Sequence, residues 1–303
     1  MKRVAISLGD PNGIGIELAL RSHAKVSKLC QPIYCIDKRL LHQASKKLSL
    51  PIPKDIKLFG KYTKTTIKAG IVAKDSGLFS YQSFLTAINL AKENKVDAIC
   101  TLPINKEAWG KAGINYVGHT DMLRDVFKKD AIMMLGCQKL FVALYTEHIP
   151  LKEVAKSLKV KKLHSFLHNL QNSLQTNEKI AVLGLNPHAG DNGVLGNEEE
   201  KIKKAIKKAN KKIGNETFEG PLVPDIAFTS ASRKKYKYFV AMYHDQGLAP
   251  LKALYFDESI NVSLNLPILR TSVDHGTAFD IAYKKGDKLS TISYINAIKA
   301  AIS

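Results

Sequence analysis

Three histidines occupy equivalent places in the sequence, each shortly after an apolar segment with the composition of a β-strand. They are His148 in YTEHIP, His188 in LNPHAG and His244 in YHDQG. Imidazoles at the ends of different strands can converge on one divalent cation and leave coordination positions open for a substrate. A single histidine of this kind is usually an ordinary loop residue, but three in equivalent positions favour a metal site.

Two carboxylates accompany these histidines. Asp225 and Asp245 lie in similar strand-end settings, where they could join the metal or transfer protons. A second histidine pair, His164 and His168, has the HxxxH spacing of a zinc-binding helix, but its HSFLH sequence lacks the glutamate that a metalloprotease needs. We therefore expect that pair to lie at the surface or at the boundary of the core.

Residue types that bind anions occur in several segments. GDPNGIGIE, at residues 9–17, is a glycine-rich turn between a strand and a helix, which suits an anion at the helix start. It matches neither GxGxxG nor the P-loop, so by itself it indicates a tight turn with only a weak suggestion of a cofactor. Lys252 and Arg270 flank a strand that carries Asn261, a set suited to a phosphate or carboxylate, with ordinary surface charges as the alternative.

Two more polar segments are typical of ligand sites. GHTDML, at residues 118–123, resembles a helix start in which Thr120 is a possible cap, a role compatible with ligand contact by His119. RTSVDHGTAFDIA, at residues 270–282, gathers arginine, threonine, serine, aspartate, histidine and glycine within eight consecutive residues. We favour a nucleotide or substrate loop there, and a polar turn is the alternative.

The elements that must position these residues alternate between strands and helices, which indicates an α/β protein with parallel sheets. Ligands bind beyond the carboxyl ends of strands in such sheets, so the polar segments should gather on one side. The predicted strands cover residues 3–8, 96–100, 140–145, 179–185, 225–228, 239–243 and 261–264. The predicted helices cover residues 83–95, 151–158, 161–174, 198–213 and 292–302.

The composition is that of an ordinary globular protein, with 45% hydrophobic and 24% charged residues, and a length of 303 residues suits two domains. No apolar run approaches the roughly 18 residues that span a bilayer, and the N-terminus lacks the apolar stretch of a secretory signal. We therefore expect a cytoplasmic protein. The four cysteines show no metal-ligand spacing and are expected to be buried thiols.

The net charge of +19 would suit a nucleic-acid or other anionic partner. In the densest lysine run, at residues 201–214, the lysines lie opposite an apolar helical stripe, and no nucleic-acid motif accompanies them. A solvated helix surface is therefore the favoured interpretation, and we expect neither a nucleic-acid nor a membrane partner.

Together, these segments resemble the 4-hydroxythreonine-4-phosphate dehydrogenase family of pyridoxal phosphate synthesis. About eight motifs match in order over residues 9–282, and YHDQGLAPLK and LPILRTSVDHGTAFDIA are the most specific. The resemblance implies a two-domain α/β fold like that of isocitrate and isopropylmalate dehydrogenases, with a cleft between the domains. It implies a discontinuous first domain at residues 1–122 and 262–303, and a second domain at residues 123–261 with much of a homodimer interface.

The resemblance also implies roles for individual residues. The histidines His148, His188 and His244 match metal ligands, one of them supplied by the partner subunit in a shared active site. The acid/base candidates are Asp225 and Asp245. The substrate-binding matches are His119, Thr120, Lys252, Asn261 and Arg270, and the matches to nicotinamide-binding segments include Gly13, Asp274 and Gly276.

Four motifs depart from the family pattern, and none of the departures removes a matched ligand. Ile16 replaces the proline of GIGPE, Glu147 replaces a common threonine, VPDI replaces PADT, and GHTD replaces GHTE. These departures bear on substrate preference more than on the type of reaction.

The implied reaction is the NAD-dependent oxidation of 4-(phosphooxy)-L-threonine at C3, followed by decarboxylation to 3-amino-2-oxopropyl phosphate. Zinc, magnesium, manganese or cobalt would assist, and NADP is the alternative cofactor. The nearest rival is a paralogous dehydrogenase of phospho-threonate or phospho-erythronate. A phosphate acyltransferase shares the broad fold but needs neither NAD nor three histidines, and a basic nucleic-acid-binding protein is the rival from another class.

Overall fold

The computed structural model describes residues 1–284 and 289–303. The chain divides into two compact units. Unit 1 comprises Met1–Lys129, Ile260–Val262 and Leu266–Ser303, and unit 2 comprises Asp130–Ser259 and Ser263–Asn265. The domain limits that the family resemblance implies, 1–122 with 262–303 and 123–261, stay a prediction.

Unit 1 is built on a parallel sheet. Its strands are β1 (Arg3–Ser7), β2 (Gln31–Cys35), β3 (Lys57–Leu58), β4 (Ala98–Thr101) and β11 (Leu269–Val273), in the order β3–β2–β1–β4–β11. Each neighbouring pair is parallel, so the carboxyl ends of all five strands lie at one edge. The helices are α1 (Gly15–Val26), α2 (Lys38–Leu48), α3 (Lys74–Lys92), α4 (Lys106–Lys111), α5 (His119–Phe127) and α11 (Ile292–Ile302).

Unit 2 has a mixed sheet. Its strands are β5 (Ile132–Cys137), β6 (Leu140–Leu144), β7 (Ile180–Leu183), β8 (Phe218–Leu222) and β9 (Tyr238–Ala241), in the order β5–β6–β9–β7–β8. Strands β5 and β6 are antiparallel, whereas β6, β9, β7 and β8 run parallel. The helices are α6 (Leu151–Ser157), α7 (Val160–Leu174), α8 (Glu198–Ile213), α9 (Ser230–Lys235) and α10 (His244–Tyr255), with a 3₁₀ helix at Pro187–Gly193. The remaining strand, β10 (Ile260–Leu264), contributes residues to both units.

The lysine-rich segment folds as the amphipathic helix that its sequence predicts. Glutamates fill the first turn of α8 and lysines the last, which complements the helix dipole, and Gly214 ends the helix in a left-handed conformation. The apolar stripe is buried and includes Ile202, Ala205, Ile206 and Ala209. The lysines therefore lie on the solvated face of a packed helix.

The α/β class predicted from the sequence is confirmed. The strand predicted at residues 225–228 is wrong: this segment forms a turn, in which the Ala227 N–H donates to Pro224 O at 3.3 Å. The observed strand lies just before this segment: it is β8, which ends at Leu222, and Asp225 follows that end. No helix among the described residues is long and apolar enough to cross a bilayer.

Candidate active site

Two of the three predicted metal ligands lie side by side in unit 2. His148 follows β6 and His244 follows β9, and these strands are parallel neighbours. The centroids of the two imidazole rings are 5.5 Å apart, and the ring planes are tilted by 42°. Two imidazoles at this separation fit two positions on one divalent cation, because each metal–nitrogen bond is about 2 Å long.

The third histidine, His188, lies in the loop after β7, the other parallel neighbour of β9, where it is the second residue of the distorted 3₁₀ segment Pro187–Gly193. The loop runs through left-handed backbone conformations, with φ at 52° for His188. Glu199 at the start of α8 holds this loop, because its Oε1 accepts the backbone N–H groups of Leu185 and Asn186 at 2.8 and 2.7 Å. The described part of the chain contains no group of three histidine, cysteine or acidic side chains that could hold a metal, so His188 does not join the other two within one chain.

The two predicted acid/base residues differ in their surroundings. Asp245 Oδ1 lies 3.1 Å from His244 Nδ1. An ionised carboxylate only accepts hydrogen bonds, so the imidazole donates from Nδ1 and keeps the Nε2 lone pair for a ligand. The Asp245 side chain is 84% exposed, and Asp225 is exposed in the turn after β8. Asp245 can therefore orient His244 in addition to its predicted role in proton transfer.

The YHDQG segment is the start of a helix, because α10 begins at His244. A Cβ atom added at Gly247 would lie 2.4 Å from Val142 Cγ1 and 2.9 Å from Ala241 Cβ. Only glycine lets α10 lie this close to β6 and β9. The close packing places the first turn of α10, with His244, directly after the end of β9.

Arg270, on β11 of unit 1, is a buried cation. It is 2% exposed, and its Nε and Nη2 atoms donate to Thr101 Oγ1 at 3.1 and 2.6 Å. Burial lowers the pKa of Arg270 to about 10, so the guanidinium remains charged at neutral pH. A desolvated guanidinium near the carboxyl ends of strands is suited to a phosphate or a carboxylate.

His119 is the first residue of α5, and its ring packs edge-on against Phe84 and Trp109, with centroid distances of 4.6 and 5.9 Å. Desolvation, together with the charges of Arg270 and Lys106, holds the pKa of His119 well below its ordinary value. The imidazole is therefore neutral at physiological pH. Its Nε2 is buried and lacks a hydrogen-bond partner among the described residues, which marks a place for a polar ligand atom.

The other predicted substrate-binding residues lie in both units. In unit 1, the buried Oδ1 of Asn261 on β10 has no hydrogen-bond partner in the described chain. Thr120 is buried as the second residue of α5, so its prediction as the helix cap is wrong: Gly118 takes that position, and no side chain caps the helix. In unit 2, Lys252 lies on α10 with Nζ 5.4 Å from the centroid of the Phe256 ring.

The two segments matched to nicotinamide sites lie against each other in unit 1. The Ile14 N–H donates to Thr277 O at 3.1 Å, and a Cβ atom added at Gly13 would lie 2.6 Å from the same oxygen. The space at Gly13 is thus taken by the chain itself. Gly276 is exposed beside half-buried Asp274, and a Cβ atom added there would meet nothing within 4 Å. A ligand could approach the backbone at Gly276.

Gly13→Ala and Gly276→Ala should therefore have different effects. The added methyl group at Gly13 meets backbone, so we expect the free energy of unfolding to fall by about 1–3 kcal/mol. At Gly276 the change should stay within about 0.5 kcal/mol, while the Kd for NADH rises about tenfold if the nicotinamide nucleotide lies against this backbone. Urea unfolding and NADH fluorescence titration measure the two effects, and an unchanged Kd in Gly276→Ala would remove that residue from the cofactor site.

The glycine-rich turn also contains a fully buried carboxyl group, Asp10. It accepts the Asn12 N–H at 2.9 Å and the Ser76 hydroxyl at 3.1 Å. Burial nevertheless dominates and raises the pKa of Asp10 to about 6, because desolvation penalises the charged form. The protonation of Asp10 is therefore linked to folding.

We expect Asp10→Asn to gain stability relative to the wild type as the pH rises from about 4 to 7. The folded state binds the Asp10 proton more tightly than the unfolded state, whose pKa is near 3.8. The tighter binding of this proton stabilises the folded wild type by about 3 kcal/mol. This stabilisation is fully present below pH 3.8 and is lost as the pH rises through about 6. Urea unfolding at both pH values measures it. Asp97→Asn is the control: Arg3 lowers the pKa of Asp97 below 3.8, so the stability difference between this variant and the wild type should stay nearly constant from about pH 4 to 7. Parallel curves for Asp10→Asn and the wild type would contradict the expectation.

Sequence reasoning missed three residues that hold the predicted site residues in place. They are Thr101, which binds Arg270, Glu199, which binds the His188 loop, and Gln246, which lies in the first turn of α10. Gln246 lies inside the YHDQG segment, which was noted for its histidine, whereas Thr101 and Glu199 lie outside the segments noted for their chemistry. Their partners are distant in sequence or are backbone groups, so no local pattern identified them.

Comparison with known proteins gives matches along the whole chain. The family model described as pyridoxal phosphate biosynthetic protein PdxA matches residues 28–301. The 4-hydroxythreonine-4-phosphate dehydrogenase of Sulfurimonas denitrificans is 65% identical over 99% of this chain and 97% of its own, and that of Campylobacter fetus is 56% identical over 100% and 98%. The crystal structure of the Klebsiella pneumoniae enzyme of the same name is 32% identical, with a TM-score of 0.86 over 99% of this chain and 97% of that one. These findings confirm the resemblance drawn from the motifs: the chain belongs to the PdxA family of pyridoxal phosphate biosynthetic proteins.

Proposed function

We propose that this chain oxidises 4-(phosphooxy)-L-threonine at C3 with NAD and decarboxylates the product to 3-amino-2-oxopropyl phosphate, a step of pyridoxal 5'-phosphate synthesis. The observation that carries this proposal is the 65% identity, over 99% of the chain, to a protein named 4-hydroxythreonine-4-phosphate dehydrogenase. The C3 hydroxyl of this substrate is β to the carboxylate. Its oxidation therefore gives a β-keto acid, which loses CO2 readily.

In this proposal His148 and His244 hold a divalent cation, and His188 of a second copy of the chain completes the set. The 5.5 Å separation of the first two rings and the exposed position of His188 support this arrangement. Zinc, cobalt and manganese are candidates for such a histidine-rich site, and magnesium is a further one. A cation there acts as a Lewis acid that lowers the pKa of an alcohol and stabilises negative charge on oxygen. Because His188 of a second copy completes the metal site, the protein would act as a homodimer. We propose that this homodimer is cytoplasmic.

We assign the nicotinamide nucleotide, NAD or NADP, to the segments that contain Gly13, Asp274 and Gly276. The open space at Gly276 supports a close approach of this ligand to the backbone. When bound, the nicotinamide takes up the two electrons and the hydrogen that leave C3.

The substrate-binding residues orient the molecule through its charged ends. Arg270 and Lys252 would bind the phosphate as cations, and neutral His119 would offer its buried Nε2 as a hydrogen-bonding atom. Asn261 and Thr120 would contact the remaining polar groups. Contacts remote from C3 can lower the barrier at C3, because they hold the reacting groups in place.

The proton of the C3 hydroxyl requires an acceptor within hydrogen-bond reach, directly or through one water. We assign this role to Asp245 or Asp225. Asp245 lies next to His244 in the chain, and its 84% exposure lets it release the proton to solvent. The same carboxyl group could return a proton to the enolate after CO2 has left.

A substrate panel tests the assignment against its nearest rival. We expect NADH to form with 4-(phosphooxy)-L-threonine at a kcat/KM at least about tenfold above that with phospho-threonate or phospho-erythronate, a difference of about 1.4 kcal/mol in transition-state binding. A preference for either phosphorylated sugar acid would replace the proposed substrate and keep the dehydrogenase chemistry. Phosphate acyl transfer without NAD would contradict both.

A further inference from the structure

The Gln246 side chain joins the ends of two parallel strands in unit 2. Its Oε1 accepts the Met242 N–H at 2.7 Å, and its Nε2 donates to Gly184 O at 2.7 Å. Met242 directly follows β9, and Gly184 directly follows β7. Only an amide can accept at one end and donate at the other in this way, so its orientation is fixed by its two partners.

The strand register shows what this amide replaces. Strands β7 and β9 pair as far as Val182 with Val240, so a continued ladder would pair Gly184 with Met242. The N–H of Met242 and the carbonyl of Gly184 instead bond to the two ends of the Gln246 amide. The Gln246 amide thus bridges the two strands beyond the last residue pair of their ladder.

Further hydrogen bonds extend this link to the neighbouring strands. The Thr146 hydroxyl, after β6, donates to Met242 O at 2.6 Å, and the Gly184 N–H donates to Leu222 O of β8 at 2.8 Å. Thr146 precedes His148 by two residues, and Met242 precedes His244 by two residues. Gly184 starts the segment that leads to His188, and a Cβ atom added to it would lie 3.1 Å from Ala189. Every histidine proposed as a metal ligand therefore follows a residue of this network by two to four positions.

We infer that Gln246 is a positioning residue. It holds the strand end that leads to His244, which binds the metal together with His148, and the strand end that leads to His188, which completes the metal site of the second copy, and it thereby sets the affinity for the metal. The inference rests on the metal site of the proposed function. Gln246 itself bonds only to backbone groups in the described contacts and acts through the histidines. Residues that orient metal ligands typically change affinity by about 10- to 100-fold when they are replaced.

Two substitutions distinguish the two hydrogen bonds of the Gln246 side chain. Gln246→Glu keeps an acceptor for the Met242 N–H but places a carboxylate oxygen against Gly184 O, whereas Gln246→Leu removes both bonds. Gln171→Glu is the matched control, because Gln171 Nε2 also donates to a backbone carbonyl, that of Thr176 at 2.7 Å, beside the end of α7. All three variants can be prepared as full-length, metal-free protein.

The test is a Co²⁺ titration followed by calorimetry and visible absorption, with thermal unfolding of the metal-free proteins alongside. We expect Gln246→Glu and Gln246→Leu to weaken Co²⁺ binding at least tenfold and to alter the cobalt spectrum, while Gln171→Glu binds like the wild type. Loss of thermal stability in the Gln246 variants with unchanged Co²⁺ affinity and spectrum would overturn the inference. His148→Ala in the same titration tests the site itself: wild-type affinity in that variant, or no Co²⁺ binding by the wild type, would overturn the metal site and the inference with it.

Discussion

Replacing His244 with alanine should lower kcat/KM for 4-(phosphooxy)-L-threonine by about 1,000-fold, equivalent to about 4 kcal/mol of transition-state stabilisation. Each of the two adjacent imidazoles in unit 2 supplies one nitrogen to the proposed cation, so His148→Ala should have a similar effect. The fold should survive both changes, because His148 is exposed and the side chain of His244 is 35% exposed to solvent. Steady-state kinetics and thermal unfolding measure the two quantities separately.

His164→Ala provides the control for these variants. His164 is a partly exposed histidine of unit 2 on α7, and its HxxxH spacing with His168 makes it the competing metal pair of the sequence. We expect its kcat/KM to stay within about twofold of the wild type. Activity near the wild-type level in His148→Ala or His244→Ala would show that the paired imidazoles are not needed for the reaction.

Replacing Arg270 with methionine should raise KM for 4-(phosphooxy)-L-threonine about 100-fold, with a smaller change in kcat. A buried guanidinium that binds a phosphate supplies charge-assisted hydrogen bonds, and the loss of such a group typically costs about 3 kcal/mol of binding. The effect should fall mainly on KM, because most of the binding of the phosphate is the same in the ground state and the transition state. The smaller fall in kcat reflects the lost orientation of C3. Burial already disfavours the charged form of Arg270, so methionine should not greatly lower the stability of the substrate-free protein.

Arg3→Met is the matched control for Arg270→Met. Arg3 also lies at a strand of unit 1, but it pairs with Asp97 at the surface, with 43% of its side chain exposed. We expect its KM to be unchanged. Inorganic phosphate should raise the melting temperature of the wild type and of Arg3→Met, and it should have little effect on Arg270→Met. Equal stabilisation of all three proteins by phosphate would place the phosphate site elsewhere.

The sequence predicts best those elements that are stabilised by local features of their own sequence. The helices at residues 198–213 and 292–302 have the predicted limits, because their apolar stripes and terminal charges are local features. Helix α10 is not among the predicted helices, and its sequence contains Gly247 and Pro250, which disfavour a helix. That helix depends on tertiary packing, in which Gly247 lies against Val142 and Ala241. The low helix propensity of this segment is therefore outweighed by tertiary packing, which cannot be seen in the sequence.

For the candidate site, the residue types and their strand-end positions could be predicted, whereas their groupings could not. The motifs pointed to three equivalent histidines, but only the sheet order shows that β6 and β9 are neighbours and bring His148 next to His244. Residues such as Gln246 and Glu199 bond to backbone groups of other segments. Such contacts depend on the three-dimensional path of the chain and leave no periodic pattern in the sequence.

The most direct test of the central claim is the formation of NADH from 4-(phosphooxy)-L-threonine by protein stripped of metal with a chelator and then supplied again with a divalent cation. We expect no turnover in the stripped protein, and restored turnover with Co²⁺ or Zn²⁺ that releases one CO2 for each NADH. Full turnover in metal-free protein would contradict the role of His148 and His244. No turnover of this substrate by folded, metal-loaded protein would contradict the assigned reaction.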